Sequence, residues 1–425
     1  MTGSDLQTRV CLITQRWAPS FSGAALRFRQ YLPGLRERGI EVDVVCSTAP
    51  SEDSPESVAA WAKLEFGEVL QVDEVEGTSV YRVKLPTGRS LRSNILFRGA
   101  VIRHLRMTGT DVAQFLTLEP LRTYRGNGLG RTDARGVFTG TQLWTFSRNP
   151  VKRMLQRLWI RVPIQGMDHV VVSSVVMRDF YRSLGVTAPM SVIPNGVDLE
   201  RFHPNDQKIE RQAARNALGI PMAADVVVFV GSIIYRKGVD VLLDAFARVA
   251  ALNPMAELFL VGPRDYSGTE AARVFGAQID ELVQRSGAAG RIQFAGYVPR
   301  VDTYLRAADV FVLPSRREGM GNVVLEAMAM GIPTVLTPFL GLPGEFGEPG
   351  KQYTLSAPDA DSLATHIGSL LNDRDQRRTV GENGRRWVEE HMSISNAIDA
   401  YAETYLDLAA CGTVRPRNRV TSWIE

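Results

Sequence analysis

The sequence predicts an α/β protein built from two doubly wound domains, and three observations support this fold class. The chain has 425 residues, whereas a single hydrophobic core stops growing beyond roughly 250–300 residues. β-Rich runs alternate with helix-length segments in both halves, as expected for parallel sheets with crossover helices. A hydrophobic fraction of 44% with 22% charged residues is ordinary for a globular protein. We expect a first domain over 1–205, a second over 206–392, and helices in about 393–425 that pack back on the first.

The first half begins with a βαβ pattern. A β-rich run at 9–14 is followed by a loop containing Gly23, then a helix at 24–38 and a strand at 41–46. Residues 120–148 lack clear periodicity and are rich in Gly, Arg and Thr, which indicates a long functional loop. Further strands are predicted from short apolar, β-branched runs at 79–83, 112–116, 136–139, 169–173 and 190–193.

The second half repeats this architecture. A strand at 225–231 precedes a helix at 239–251, the polar stretch 194–206 is the expected hinge, and amphipathic helices around 394–408 are expected to cross back to the first domain. Two such domains facing each other would hold ligands in the cleft, at the carboxyl ends of the strands. The remaining strands are predicted at 257–261, 292–295, 309–313 and 334–336.

Composition argues against a membrane-spanning or disulfide-stabilised protein. No apolar run approaches the roughly 18 residues that cross a bilayer, and the apolar stretch 10–13 is too short for a signal peptide. Cys11, Cys46 and Cys411 are scattered and cannot form a disulfide framework. We therefore expect a cytoplasmic protein with reduced thiols, in which Cys11 and Cys46 are buried in core strands.

Positive charge is concentrated in one segment of the first half. Residues 82–161 contain 16 Lys and Arg but only three acids, whereas 52–76 contain eight acids and one lysine. Such a block attracts anionic lipid headgroups, an anionic acceptor or nucleic acid. Nucleic acid is disfavoured because no helix-turn-helix, zinc-finger or RNA-binding signature accompanies the charge. A merely solvated arginine-rich face is an equally compatible interpretation.

Within this block, the stretch 151–162 mixes apolar and basic residues. Met154, Leu155, Leu158 and Trp159 stand among four cations, a composition suited to peripheral contact with an anionic membrane surface at the inner face of a membrane. The same leucines and tryptophan equally suit the domain core. The sequence leaves both interpretations open.

The segment 318–326 carries two carboxylates eight positions apart at a predicted strand–turn–helix connection. Glycines in its turn would let the backbone approach a phosphate, to which the helix N-terminus presents N–H groups and a positive dipole end. Glu326, about one turn inside the helix, could accept both hydroxyls of a ribose, and Glu318 would face a second polyhydroxylated group. The alternative is that both glutamates are merely solvated. Asn322 is the expected N-cap and Gly331 the stop of this helix.

A second phosphate-binding pattern occurs at 231–238, again between a predicted strand and a helix. Arg236 and Lys237 could neutralise a diphosphate there, and Gly238 would permit the turn into the helix. The helix dipole disfavours cations at this end, and a bound anion would resolve that conflict. The alternative is a basic helix N-terminus exposed to water.

Together these patterns resemble the family 4 glycosyltransferases, which have the GT-B fold of two Rossmann-like domains and transfer sugars from nucleotide sugars with retention at the anomeric carbon. The resemblance covers most of residues 168–392, in the right order and spacing. Its matching segments are 194–198 with Arg201 and Phe202, 231–238, Gly262, 294–298, 318–326 and 331–334.

The resemblance implies a role for each matching position. Lys237 and the amides after Glu318 would bind the donor's diphosphate, Glu326 its ribose, and the loop at 296–298 its base. Glu318 would contact the transferred sugar, and Gly23 falls where a glycine-bearing loop approaches the phosphates. The donor would be a nucleotide diphosphate sugar, with UDP favoured and GDP or ADP as alternatives, and neither a metal nor a permanent cofactor is expected. The implied catalytic residues are Glu318, Lys237 and Arg236, and the implied donor-binding residues are Gly23, Gly231, Arg236, Lys237, Gly262, Tyr297, Val298, Glu318, Gly319, Met320, Gly321, Asn322 and Glu326.

The sequence departs from the family pattern in two places. Ser232 follows Gly231 where the family usually has an arginine, and Arg236 could supply the missing charge. Two histidines often found in the first domain are absent, and Gln114 and Thr141 occupy those places. Transfer of this type needs no side-chain base if the leaving diphosphate accepts the acceptor's proton, so that the protein supplies positioning and charge stabilisation.

Other functions are less compatible with the sequence. Asp359 and Asp361 match a metal-binding Asp-x-Asp, but they follow Pro358 and precede a predicted helix, so N-capping explains them better. No G-x-G-x-x-G follows the first strand, and no G-x-x-x-x-G-K-[ST] occurs, which disfavours a nicotinamide dehydrogenase and a nucleoside triphosphatase. A GT-B epimerase or phosphorylase, or a degenerate binding or scaffold subunit, remains the alternative to a glycosyltransferase.

Overall fold

The computed structural model describes residues 7–17, 23–75, 77–86, 91–118, 132–140, 144, 146–204, 207–264, 266–318, 320–339, 342 and 346–410. Contacts divide the chain into two compact units. The first comprises Met1–Pro194 and Ser395–Glu425, and the second comprises Asn195–Ile394. Each unit has its own sheet and hydrophobic core.

The first unit contains an eight-stranded sheet in the order β3-β4-β2-β1-β5-β6-β7-β8. All pairs are parallel except β3 with β4, which form an antiparallel edge hairpin. Gly77, with φ of 72°, turns the chain between those two strands. The strands are β1 Thr8–Ile13, β2 Ile40–Cys46, β3 Val69–Val75, β4 Thr78–Val83, β5 Val112–Phe115, β6 Arg135–Gly140, β7 His169–Val172 and β8 Met190–Val192.

Helices cover the sheet of the first unit. The core on one face combines strand residues with Phe97 and Val101 from one helix and Ile160 and Ile164 from another. Burial of each such side chain contributes about 1.5–3 kcal/mol. The described helices of this unit are α1 Gly23–Glu37, α2 Pro55–Lys63, α3 Leu91–Thr108, α4 Pro150–Gln165 and α5 Val175–Ser183. The last helix that the structure describes, α13 Ile394–Ala410, joins them.

The last helix packs against α1, as the sequence predicted. The ring of Tyr401 lies 5.0 Å from that of Phe28, edge to face. The Arg38 guanidinium lies 2.5 Å from an Asp399 carboxylate oxygen. A Cβ at Gly34 would lie only 2.7 Å from Ile398 Cδ1, so the two helices approach closely there. The crossing of the C-terminal helix to the first unit is therefore confirmed.

The second unit contains a six-stranded, all-parallel sheet in the order β11-β10-β9-β12-β13-β14. Its central strands are continuous apolar runs with both faces buried, as in sheets covered by helices on each side. The strands are β9 Asp225–Val230, β10 Ala256–Val261, β11 Ile292–Gly296, β12 Val310–Leu313, β13 Thr334–Leu336 and β14 Thr354–Leu355. The helices are α6 Gln207–Leu218, α7 Val239–Leu252, α8 Glu270–Arg285, α9 Val301–Ala307, α10 Asn322–Ala329, α11 Ala360–Asn372 and α12 Arg374–His391.

The structure confirms the fold class and corrects some details. Every predicted strand is present, but the interpretation of 120–148 as one loop is wrong, because β6 lies within it. Residues 119–131 and 141–143 lie outside the described residues. Cys11 and Cys46 are buried and belong to no disulfide, as predicted. In the described part of the chain, no helix combines the length and apolar character needed to cross a bilayer.

Candidate active site

Two strand–turn–helix connections of the second unit lie side by side. β9 leads into a 3₁₀ turn at Tyr235–Lys237 and then α7, and β12 leads through a loop into α10. β9 and β12 are adjacent parallel strands, so their carboxyl ends meet at the same edge of the sheet. The two patterns found in the sequence, 231–238 and 318–326, are thereby brought together.

The Glu318 carboxylate joins the two turns. Its Oε1 lies 2.5 Å from Lys237 Nζ and accepts a hydrogen bond of 2.8 Å from Ser315 Oγ. Its Oε2 accepts a hydrogen bond of 3.2 Å from Arg236 Nη1. The glutamate side chain is only 8% exposed, and that of Lys237 is 13% exposed. One buried carboxylate therefore holds both cations of the first pattern by charge-assisted hydrogen bonds.

Glycines permit this close approach of backbones. A Cβ at Gly262 would lie 2.1 Å from the Gly231 carbonyl oxygen, and a Cβ at Gly238 would lie 1.9 Å from the Pro314 carbonyl oxygen. Gly238 also has φ of 69°, in the left-handed region that side chains disfavour. Any larger residue at these positions would push the turns apart.

Arg316 forms a second connection between the turns, which the sequence analysis missed. Its guanidinium donates two hydrogen bonds, of 2.7 and 2.6 Å, to the Asp240 carboxylate and one of 2.7 Å to the Tyr235 carbonyl. It also lies 4.1 Å from the centre of the Tyr235 ring. Its backbone N–H donates to the Arg236 carbonyl at 3.0 Å. The only sequence signal was an arginine immediately after the strand–Pro–Ser run, which is too common to single out.

The N-terminus of α10 differs from the prediction. Asn322 is the first helical residue and not the N-cap, because Gly321 occupies that position with φ of 59° and supplies no side-chain cap. The helix therefore begins with backbone N–H groups that no capping side chain satisfies, an arrangement suited to an anion. Asn322 Oδ1 accepts a hydrogen bond of 2.6 Å from Asn195 Nδ2, and the buried Met320 Sδ accepts one from the Asn195 N–H. Gly319 lies outside the described residues.

Glu326 occupies a different electrostatic environment from Glu318. It is half-buried on α10, and its carboxylate makes no hydrogen bond or ion pair within the part of the chain that the structure describes. Burial raises the pKa of its carboxyl from 4.5 to about 7; the charge of Arg201 lowers the pKa and that of Asp302 raises it. Asp302 itself accepts hydrogen bonds from Arg201 at 2.9 Å and from Arg300 at 2.8 Å. These three residues were not predicted to influence the site, although Arg201 lies in one of the family-like segments.

The remaining predicted residues are more dispersed. Tyr297 is 79% exposed, Val298 packs against the core of the second unit, and the Gly296 carbonyl accepts a hydrogen bond of 2.8 Å from the Gly262 N–H. Gly23 begins α1 in the first unit, with open space where a Cβ would lie. An exposed aromatic ring beside a glycine at the sheet edge is available to stack on a ligand.

In the first unit, Gln114 is fully buried at the end of β5. Its Nε2 donates to Thr139 Oγ1, and its Oε1 accepts a hydrogen bond of 3.2 Å from Tyr405 on the last helix. The amide that stands in the place of a family histidine is therefore engaged within the unit. Thr141, the other residue in such a place, lies outside the described residues.

The Asp-x-Asp pattern at 359–361 forms a helix cap. Asp359 Oδ1 accepts a hydrogen bond of 2.8 Å from the Ser362 N–H at the start of α11, and Asp361 is 85% exposed and pairs with Arg248 at 2.9 Å. Over the described ranges, no group of three or more His, Cys, Asp or Glu residues could hold a metal ion.

Two sequence families match the chain. The model described as Glycosyl transferases group 1 matches residues 210–387, and the model described as Glycosyltransferase Family 4 matches residues 21–201. The two matches are successive and together leave only short segments uncovered. Each corresponds closely to one of the two structural units.

Curated relatives align mainly over part of their own length. The lipopolysaccharide core biosynthesis mannosyltransferase LpsB of Rhizobium meliloti is 29% identical over 253 residues, which are 59% of this chain and 68% of that protein. A D-inositol 3-phosphate glycosyltransferase of Geodermatophilus obscurus is 40% identical over 225 residues, which are 52% of this chain and 48% of that protein. The matched stretch thus spans about half to two thirds of these relatives.

Solved structures match over nearly the whole chain. Sucrose-phosphate synthase from Thermosynechococcus elongatus superposes with a TM-score of 0.75 at 22% identity, covering 95% of this chain and all of that one. Anabaena Alr3699/HepE in complex with UDP and glucose gives a TM-score of 0.73 at 18% identity, covering 94% of this chain and all of that one. At this level of identity the likeness establishes the fold alone, and it agrees with the two parallel-sheet units described above.

Proposed function

The chain belongs to the family 4 glycosyltransferases, and we propose that it moves a sugar from a nucleotide diphosphate sugar to an acceptor hydroxyl with retention at the anomeric carbon. The observation that carries this proposal is the meeting of Lys237, Arg236 and the Glu318 carboxylate at the carboxyl edge of a parallel sheet, beside the uncapped N-terminus of α10. Ligands of open α/β sheets bind at this edge.

In this proposal the diphosphate binds between the two turns of the second unit. Lys237 and Arg236 supply positive charge, and the N–H groups at the start of α10 donate hydrogen bonds. The negative charge of the diphosphate is therefore stabilised both by the cations and by the helix dipole. Glu318 keeps the two cations aligned before the donor arrives and then contacts the transferred sugar. Glu326 accepts the ribose hydroxyls, and Tyr297 and Val298 lie beside the base.

The reaction breaks the bond between the anomeric carbon and the diphosphate oxygen and forms a bond from that carbon to the acceptor oxygen on the same face. The acceptor's proton passes to the leaving diphosphate, so this proton transfer needs no base from the protein. Lys237, Arg236 and the helix N–H groups stabilise the negative charge that develops on the leaving group. Loops of the first unit are the proposed acceptor site.

The proposed donor is a UDP-sugar, and GDP- and ADP-sugars are the alternatives. The structurally similar Alr3699/HepE is described in complex with UDP and glucose, which supports UDP, whereas the relative LpsB is named a mannosyltransferase. The acceptor class is a glycan, a glycolipid or a small molecule.

Ligand screening and product analysis test the proposal. Only the correct nucleotide diphosphate and its sugar should raise the Tm, because a ligand that binds the folded state stabilises it by mass action. NMR of the product should show the donor's anomeric configuration, and activity should survive exhaustive chelation.

An inverted product would contradict retention. No Tm shift with any nucleotide would contradict the donor site, and activity restored only by manganese or magnesium would contradict the metal-independent mechanism. Hydrolysis of the donor in the absence of an acceptor would show that the chain is an enzyme and not a scaffold subunit.

A further inference from the structure

The helix α4, Pro150–Gln165, presents a broad apolar face to solvent. Only Ile160, Pro163 and Ile164 of this helix are buried. A helix that packs on a sheet normally turns its large apolar side chains inward and polar ones outward. Here six large apolar side chains are between 43 and 61% exposed: Val151, Met154, Leu155, Leu158, Trp159 and Val162. The alternative that Met154, Leu155, Leu158 and Trp159 belong to the domain core is therefore wrong.

The cations of this helix lie among those apolar residues without acidic partners. The segment Pro150–Gln165 contains no Asp or Glu. Across the described part of the chain, no ion pair involves Lys152, Arg153, Arg157 or Arg161. Arg153, Arg157 and Arg161 line a cavity of about 510 Å³ whose wall also includes Met154 and Leu158. The cavity thus combines guanidinium groups with an apolar surface.

The helix α3, Leu91–Thr108, also has exposed apolar side chains on this side of the first unit. Its Leu91 is 75% exposed and its Ile95 is 59% exposed, and Arg92 lies between them in sequence and is also exposed. The inner residues of α3 and α4 join one core cluster, so the two helices cover the same face of the sheet. The unusual exposure is therefore a property of one side of the first unit.

We propose that this face, formed by α4 with the start of α3, docks on a bilayer containing anionic phospholipids. Arginines would meet the headgroup phosphates and the exposed apolar side chains would enter the headgroup–acyl boundary, as in interfacial amphipathic helices. A second copy of the chain would bring four cations against four, which is unfavourable. Nucleic acid would leave six large apolar side chains without a partner. The inference goes beyond the transferase activity and does not depend on the donor.

Vesicle co-sedimentation of the full chain tests the proposal. We expect binding to phosphatidylcholine vesicles that contain phosphatidylglycerol, weaker binding at high salt because the charges are screened, and little binding to phosphatidylcholine alone. Lys152→Gln with Arg153→Gln should weaken binding by roughly fivefold for each charge removed, the effect of about 1 kcal/mol per cation near an anionic surface. Val151→Gln with Leu155→Gln should also weaken it, and all these side chains are exposed, so the fold should persist.

Matched variants in the second unit serve as controls. Arg374→Gln with Arg386→Gln makes the same charge change, and Leu252→Gln with Val274→Gln makes the same apolar change, on residues that are also exposed. Neither should alter vesicle binding. Equal recovery on neutral vesicles, equal losses in the control variants, or no binding at all would overturn the proposal. A concentration-dependent dimer lost in both α4 variants would also overturn it and identify a second copy as the partner.

Discussion

The two units share an architecture but use the carboxyl edges of their sheets differently. In the second unit, charged groups from neighbouring turns meet there, and the Glu318 carboxylate holds Lys237 and Arg236. In the first unit, the polar group at the end of β5 is an uncharged amide, Gln114, whose oxygen and nitrogen are hydrogen-bonded within the unit. Two cations that share one carboxylate keep a net positive charge for an anionic ligand, whereas the amide of Gln114 is satisfied by uncharged partners.

The two glutamates of the second unit also differ in their partners. Glu318 is neutralised by two cations, whereas Glu326 has no direct partner within the described residues and its pKa is raised to about 7. A desolvated carboxylate without a partner destabilises the free protein. The position of such a carboxylate is better explained by a role in ligand binding than by a role in stability.

The largest effect is expected for Glu318→Gln. The carboxylate contacts both cations and, in the proposed mechanism, the transferred sugar, so its loss should lower kcat and kcat/KM together by roughly 10²-fold or more. Steady-state kinetics with the correct donor measures both constants. A change confined to KM would show that the Glu318 carboxylate serves donor binding only, and full activity would show that it serves neither binding nor catalysis.

Glu326→Gln should act mainly on donor binding. Loss of one charge-assisted hydrogen-bond partner costs about 1.5–3 kcal/mol, which corresponds to a donor KM raised roughly 10- to 100-fold with a smaller change in kcat. A kinetic signature identical to that of Glu318→Gln would contradict the separate roles of the two glutamates.

The raised pKa of Glu326 also predicts a pH dependence. Donor KM should fall as pH rises through about 7, because the ionised carboxylate accepts hydrogen bonds from the ribose more strongly. The folded-state pKa lies above the unfolded value of 4.5, so this group's contribution to the free energy of unfolding declines as pH rises from 4.5 through 7. Glu326→Gln should lose the pH dependence of KM and raise the Tm above pH 7. A lower Tm in that range would indicate a structural role.

A smaller effect is expected for Arg316→Ala. Arg316 ties the Tyr235 carbonyl to Asp240 and does not itself face the proposed ligand, so it is a positioning residue. Its removal should let the turn that carries Lys237 shift and lower kcat/KM by roughly tenfold. Arg248→Ala, which breaks the surface pair with Asp361, is the matched control and should leave kinetics unchanged. Arg316→Lys should restore little, because it cannot make the bidentate contact.

The smallest effect on catalysis is expected in the first unit. Gln114→Leu should lower the free energy of unfolding by about 1–3 kcal/mol, because it leaves buried hydroxyl groups without a partner, while kcat stays within about twofold well below the Tm. Tyr405→Phe removes one of the same hydrogen bonds and should lower stability in the same direction. A 10²-fold loss of kcat in a folded Gln114→Leu protein would assign this amide a catalytic role. The polar groups at the sheet edges of both units would then serve catalysis.

Features encoded in adjacent residues were predictable from the sequence. The strand–turn–helix connections at 231–238 and 318–326 were located correctly, because apolar runs and glycines mark them locally. The edge strand β3 was missed because acidic residues in Val69–Val75 weaken its β pattern. The Asn322 N-cap was wrong because a left-handed Gly321 took that position. The contacts of Arg316 with Asp240 span 76 residues, and no local pattern reports such a pair.

The helix α13 has a consequence for synthesis on the ribosome. The second unit is continuous, Asn195–Ile394, whereas the first needs α13 to cover Phe28 and to reach Gln114. Domains generally fold as they emerge, so the first unit waits with an apolar face of α1 uncovered until α13, Ile394–Ala410, has been made. The second unit can finish first although it is encoded later. Translation that stops before α13 would thus leave a folded second half attached to an aggregation-prone first half.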